Sequence, residues 1–171
     1  MRHASGSVWL VEIGVWHGVN TANLRRVMAP DGLLTGVDHF PKSRWGVQWQ
    51  KWIAERTLHA VENGAAELLE MSSVAAAGEF ARRHAGALVD FIFFDGDHSY
   101  EGLAADWAAW SCLLDVGAIV ALHDSRSHSG RDIDAAGSVR FTRDVLLPDS
   151  RLTEIDAVDS LTILRTNKSW C

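Results

Sequence analysis

The chain has 171 residues, 47% hydrophobic and 22% charged, the size and balance of one ordinary globular domain with a substantial core. Its 16 basic and 22 acidic residues leave a formal net charge of −6 with no basic run or stripe, which argues against a dedicated nucleic-acid binder. No segment approaches the roughly 18 consecutive apolar residues that span a bilayer, and no apolar signal core precedes the first strand. Of the two cysteines, Cys112 falls in an expected helix and Cys171 ends the sequence. A disulfide framework is therefore not expected, and a reducing, cytoplasmic setting fits.

Short apolar runs alternate with helical stretches, the pattern of βαβ units around a parallel sheet. The spacing predicts a first strand over residues 8–13. A helix follows, capped by Asn20 or Thr21, with Leu24, Val27 and Met28 on one face, and Pro30-Asp31-Gly32 stops it. Leu33 to Val37 reads as a second strand ending at Asp38. Residues 42–63 read as helical, with Trp45, Trp49 and Trp52 forming a stripe assigned to core packing. A weaker strand over 66–71 and a helix over 74–84 come next.

Val89 to Phe94 is nearly continuously apolar, as a strand covered on both faces should be. Ser99 then caps a helix whose buried stripe is Leu103, Trp107, Trp110 and Leu114. A fifth strand over 118–122 closes on His123-Asp124, and residues 125–136 read as a loop. A helix from Ser138 to Leu147 ends at Pro148. A terminal hairpin over 152–158 and 161–165 makes the sheet mixed at that edge. The expected fold is a Rossmann-like, doubly wound α/β sheet, mostly parallel.

Ligands of such sheets sit at the carboxyl ends of the strands, and two motifs fall there. In Glu12-x-Gly14-x-x-x-Gly18, glycines let the backbone turn tightly and approach a ligand, and a helix N-terminus favours negative charge. Asp38, at the next strand end, can accept both hydroxyls of a ribose. Trp16 and Asn20 stand where a dinucleotide fingerprint wants small residues, which disfavours NAD and FAD. Ser72 and Ser73, after the third strand, would face an adenine, or simply cap a helix.

The second motif is Asp95-Gly96-Asp97-His98, with His123-Asp124 at the following strand end. If those strands are neighbours, Asp95, Asp124 and His123 converge. Two carboxylates suit Mg²⁺, whereas a histidine ligand shifts preference towards Mn²⁺, Fe²⁺ or Zn²⁺. His98 or Asp97 is placed to take a proton from a polarised hydroxyl. The bland alternative is that these residues cap the following helix. An EF-hand is excluded because Tyr100 occupies the obligatory glycine position.

At these residues the chain resembles the class I S-adenosylmethionine-dependent methyltransferases. More narrowly, it resembles bacterial small-molecule and sugar O-methyltransferases of the macrolide-sugar and cephalosporin-tailoring type. The motifs are Val11-Glu12-Ile13-Gly14 with Gly18, Asp38, and Asp95-Gly96-Asp97-His98-Ser99-Tyr100-Glu101. They continue through Asp106, Trp110, Leu114 and Gly117 to His123-Asp124. The resemblance implies one domain over 1–171, with a seven-stranded sheet carrying one antiparallel strand near its C-terminus. It implies S-adenosylmethionine on Glu12, Gly14, Gly18, Asp38, Ser72, Ser73 and Asp95, and a divalent metal, Mg²⁺ before Mn²⁺, on Asp95, His123 and Asp124. His98, with Asp97, would be the catalytic base.

Two departures stand out: His123 replaces an acid of the metal pair, and only about ten residues precede the glycine motif that opens at Glu12, where relatives carry covering helices. A partner subunit supplying that cover, as in a homodimer, is one expectation. The acceptor would be a hydroxylated small molecule, with no nucleic acid or membrane involved. The alternative is a non-catalytic S-adenosylmethionine-binding module.

Overall fold

In the computed structural model, which describes residues 2–171, seven strands form one sheet. They are β1 (Trp9–Ile13), β2 (Leu33–Asp38), β3 (Ala65–Glu70), β4 (Val89–Phe94), β5 (Leu114–Leu122), β6 (Leu152–Val158) and β7 (Leu161–Thr166). Their order across the sheet is β3-β2-β1-β4-β5-β7-β6, and β1 to β5 pair in parallel. The β6–β7 hairpin folds back so that β7 runs antiparallel to both its neighbours. The expected single antiparallel strand near the C-terminus is therefore β7.

Five helices cover the two faces: α1 (Val19–Val27), α2 (Trp49–His59), α3 (Ser73–Arg83), α4 (Tyr100–Trp110) and α5 (Gly137–Phe141). Alternate residues of a strand point to opposite faces, and the core splits accordingly. Val11, Ile13, Ile92, Phe94, Val120 and Leu122 pack with Phe80, Leu103, Trp107 and Trp110 of α3 and α4. Leu10, Leu34, Phe91, Phe93 and Ala121 pack with Leu24 and Met28 on the other face. Val15, Phe40 and Ala54 extend that second face under α2.

The structure departs from the sequence expectations in several places. The helix expected over 42–63 is confined to α2, and 39–48 is loop and turn. Trp45, Trp49 and Trp52 are not core: they are 79%, 57% and 54% exposed, because α2 buries the opposite side through Ala54 and Leu58. Helix α1 is preceded by Gly18 at φ 74°, with no side-chain cap from Asn20 or Thr21, and Thr21 is buried instead. Strand β5 begins four residues earlier than expected, at Leu114, which ends the helical stripe before that residue. The helix expected from Ser138 to Leu147 is α5 followed by a π-turn over Thr142–Leu146.

Cys112 and Cys171, expected to be free, form a disulfide with Cα atoms 5.4 Å apart. Trp170 packs edge-on against Trp107, with ring centroids 4.9 Å apart, so the chain end lies against α4 and holds the two cysteines together. Among the described residues, no helix is long and apolar enough to cross a membrane.

Candidate functional site

The register of the sheet builds the site. Val37 pairs with Ile13, Ile13 with Phe94, and Phe94 with Leu122. The residues that follow these four, Asp38, Gly14, Asp95 and His123, therefore emerge side by side at the carboxyl edge. The ladder continues through them: Gly14 N–H donates to Val37 O (2.9 Å), Asp95 N–H to Ile13 O (2.8 Å), and His123 N–H to Phe94 O (3.0 Å).

A cavity of about 520 Å³ opens above this edge, within the size range of cofactor sites. Gly14, Asp38, Ser72, Ser73, Asp95 and Asp97 line it. Gly14 stands at φ 92°, and a Cβ there would lie 2.2 Å from the Asp95 carbonyl oxygen, so only glycine lets the two loops touch. Asp38 accepts from the backbone N–H groups of Trp16 (2.9 Å) and Phe40 (2.8 Å), which shapes the first loop and leaves further lone pairs free. Ser72 caps α3 by accepting from Ala75 N–H, and Ser73 accepts from the Trp110 indole, so both have structural work besides lining the cavity. Gly18 lies outside the lining, where its missing side chain lets α1 approach Ala54.

Glu12 is fully buried and is not among the residues that line the cavity, and neither of its carboxylate oxygens has a hydrogen-bond partner. Burial pushes its carboxyl up to about 8; the nearby Thr21 hydroxyl tempers this, while the charges of Asp95 and Asp38 add to it. A buried acid with unmatched oxygens is costly to a fold that needs nothing from it.

On the other side of Asp95 lies the acid–histidine cluster. His123 Nδ1 is 2.7 Å from Asp95 Oδ1, at an angle that makes an ionic contact rather than a hydrogen bond. His98 Nε2 is 3.8 Å from the same oxygen. The donor atoms of Asp95, His98 and His123 all lie within 4.8 Å of one another, a set able to hold a metal ion. The Asp95 carboxylate, chiefly, raises the His123 imidazole above its ordinary value, against the effect of partial burial. Asp124, at φ 46°, sits just behind: its Oδ1 is 3.7 Å from His123 Nε2 and 2.7 Å from Arg131 Nη1. Burial alone would raise the Asp124 carboxyl, but the Ser160 hydroxyl, His123 and Arg131 outweigh it and hold it below the usual carboxylate range.

Asp97 is exposed at the cavity wall, and its Oδ1 accepts from Ser99 N–H at the start of α4. Gly102 makes room for it, since a Cβ there would meet the Asp97 carboxyl at 2.4 Å. His98 does not line the main cavity; it faces a narrow crevice with Leu103, His123 and Ser138. Residues not predicted as ligands also shape the site. Trp16, His39, Met71 and Asp106 line the cavity, Asn20 reaches Asp95, and Arg131 neutralises Asp124. Asp106 was visible in the motif that carried the resemblance, but nothing local marks Arg131, seven residues along a loop.

The cavity combines a glycine turn at Gly14 with an acid, Asp38, at one side. Residues 11–125, more than half of the chain, match a family described as a methyltransferase domain. No curated protein sequence matches the chain. Among solved structures, the O-methyltransferase TomG from Streptomyces achromogenes, involved in tomaymycin synthesis and determined in complex with SAM, is 19% identical. It has a TM-score of 0.68 and covers 95% of this chain and 74% of its own. The calicheamicin-biosynthesis enzyme CalS11, a TDP-rhamnose 3'-O-methyltransferase, is 20% identical with a TM-score of 0.67, covering 96% and 74%. An rRNA methylase from Streptococcus thermophilus is 14% identical with a TM-score of 0.64, covering 98% and 92%. At these identities the structural likeness is one of fold, and the family match goes further: the chain belongs to the methyltransferase-domain family, with the S-adenosylmethionine-dependent class I fold.

Proposed function

We propose that the protein methylates a hydroxyl group of a small molecule, a sugar or a natural product, with the help of a divalent ion. The observation that carries this reading is the adjacency of two features at one sheet edge. A glycine-cradled cavity bounded by Asp38 lies on one side of Asp95, and a carboxylate–imidazole cluster lies on the other.

Bound S-adenosylmethionine supplies an electrophilic methyl group on a positively charged sulfur, and a bound divalent ion polarises the acceptor hydroxyl. The chain's residues must then bind, orient and remove one proton. Asp38 would accept from the ribose hydroxyls with its remaining lone pairs, and Ser72 and Ser73 would form the adenine end. The Gly14 turn, with Glu12 two residues before it, would receive the amino-acid end; the approach of an ammonium group would favour the ionised form of the buried Glu12 carboxyl. Asp95 and His123, with Asp124, are the candidates for holding the ion and the acceptor oxygen. His98 or Asp97 would take the hydroxyl proton as the new carbon–oxygen bond forms and the sulfur keeps its bonding pair. Positioning and charge stabilisation would supply most of the rate.

A second reading is a non-catalytic S-adenosylmethionine-binding module. The ion pairs Asp95–His123 and Asp124–Arg131 favour it, because they already neutralise much of the charge that would attract a cation.

Calorimetric titration of the metal-stripped protein with S-adenosylmethionine and S-adenosylhomocysteine, followed by an acceptor screen with Mg²⁺ and Mn²⁺, tests both readings. Turnover on a hydroxylated acceptor that His123→Ala abolishes, with cofactor binding kept, supports the enzyme. Cofactor binding without turnover on any acceptor supports the module, and no cofactor binding defeats both.

A further inference from the structure

The third ligand of the ion is open to a choice between Asp124 and His98, and the geometry separates them. The Asp124 Oδ1 that faces the cluster is held by Arg131 at 2.7 Å, and the Asp124 backbone is pinned by Ser138, whose hydroxyl donates to its carbonyl at 2.6 Å. Freeing that carboxylate for an ion means breaking a partly buried, charge-assisted contact. His98 carries no such burden. Its imidazole makes no hydrogen bond among the described residues; its nearest acid is Asp95, beyond hydrogen-bond distance at 3.8 Å. Its backbone is anchored, since its carbonyl accepts from Ser138 N–H at 2.9 Å, and its ring lies 5.7 Å from that of His123.

Metal–ligand bonds of about 2.0–2.2 Å put neighbouring donors about 3–3.5 Å apart. The Asp95, His98 and His123 donors, all within 4.8 Å of one another, stand near that spacing. Metal-bound histidines commonly give their second nitrogen to a carboxylate, which orients the ring. Asp124 is the carboxylate on that side: its Oδ1 lies 3.7 Å from His123 Nε2, just beyond hydrogen-bond distance, and would close on it when Nδ1 faces the ion.

We infer that the ion is held by Asp95, His98 and His123, with Asp124 positioning His123 from behind, and that the site takes Mn²⁺, Co²⁺ or Zn²⁺ in preference to Mg²⁺. Imidazole is a poor ligand for a hard, strongly hydrated cation and a good one for later first-row metals. The inference rests on the proposed function for the ion's purpose, and it changes the division of labour: with His98 on the metal, Asp97 is the base at the cavity wall.

The test is metal binding to the stripped, intact chain, followed by calorimetry and by the visible absorption of bound Co²⁺, with S-adenosylhomocysteine binding measured in parallel. The expected result is Co²⁺ and Mn²⁺ binding at least about 100-fold tighter than Mg²⁺. His98→Ala and His123→Ala should each cost about 100-fold or more in Co²⁺ affinity and alter its spectrum. Asp124→Asn should cost about 10–100-fold, the range for a residue behind a ligand, and keep the spectral type. Thermal melts and retained S-adenosylhomocysteine binding confirm that each variant is folded. Tighter Mg²⁺ binding, or Co²⁺ binding insensitive to His98→Ala, overturns the inference and leaves methyl transfer standing. Loss of S-adenosylhomocysteine binding by the unmodified protein is the separate failure of the functional reading.

Discussion

Gly14 and Asp95 meet backbone to backbone: a Cβ on Gly14 would lie 2.2 Å from the Asp95 carbonyl oxygen and 2.9 Å from the Gly96 nitrogen. The first glycine turn and the acidic turn are thus one joined surface, and the cavity is the space they enclose with Asp38.

Gly14→Ala should therefore damage both stability and cofactor binding. Strain at positive φ costs about 1–3 kcal/mol, and the overlap with backbone that cannot rotate away adds about 1–3 kcal/mol. Gly6→Ala is the control, having φ 78° with nothing within 4 Å of its would-be Cβ, so it should carry the strain alone. Urea unfolding of both variants, with S-adenosylhomocysteine titration of each, measures the difference; equal losses would mean that the close approach is unimportant.

Glu12 should make stability fall as pH rises. Its carboxyl titrates near 8 in the fold, above its ordinary 4.5, so the folded protein holds a proton that the unfolded chain releases. The stability linked to that proton is intact below about 4.5 and is lost as pH rises through about 8. At about 1.4 kcal/mol per unit, several kcal/mol are at stake. Glu12→Gln removes the titration, so its advantage over the unmodified protein should grow across that window in thermal melts at pH 5, 7 and 9. A constant difference would show that burial does not shift this group.

Asp38→Ala should weaken S-adenosylhomocysteine binding by about 10-fold or more, because it would remove the proposed ribose acceptor and frees the Trp16 and Phe40 amides. Each such charge-assisted bond is worth about 1.5–3 kcal/mol. Asp38→Asn keeps acceptor capacity at one oxygen and should recover part of the affinity. Calorimetry that finds both variants at unmodified affinity would remove Asp38 from the binding site.

Reduction of Cys112–Cys171 should lower thermal stability. The bridge closes a loop with a sequence separation of 59, for which the chain-entropy relation gives about 4 kcal/mol as a ceiling. Cys112→Ser should match the reduced protein in its melting temperature, and dithiothreitol should not shift the variant further. Intact mass under non-reducing conditions reads the bond directly; two free thiols in that measurement would remove the bridge from the account.

Elements with strong local signals were legible in the chain. Val89–Phe94 reads as a strand because it is apolar on both faces, and Ser99 reads as a cap because its hydroxyl satisfies the Gly102 amide. Asp38, Gly14, Asp95 and His123 were recognisable as strand-end residues for the same reason: each follows an apolar run. Signals that depend on a partner surface misled. Trp45, Trp49 and Trp52 have helical spacing, but whether a spaced stripe is core depends on what the helix lies against, and here α2 buries Ala54 and Leu58 instead, Ala54 packing with Val15 and Phe40. Cys112 and Cys171 carry no mark of pairing, because a disulfide is decided by whether the fold brings two Cα atoms to 5.4 Å.

By itself, then, the sequence determined the alternation of elements, the strand ends that carry chemistry and the kind of group each offers. These follow from hydrophobic period and backbone propensity, which act over a few residues. Tertiary structure alone decided which donors share a site. Strand register set Asp95 beside His123, the α4 turn brought His98 to them, and a loop seven residues on gave Arg131 to Asp124. Such contacts join residues distant in sequence, and their geometry exists only once the sheet has closed its order.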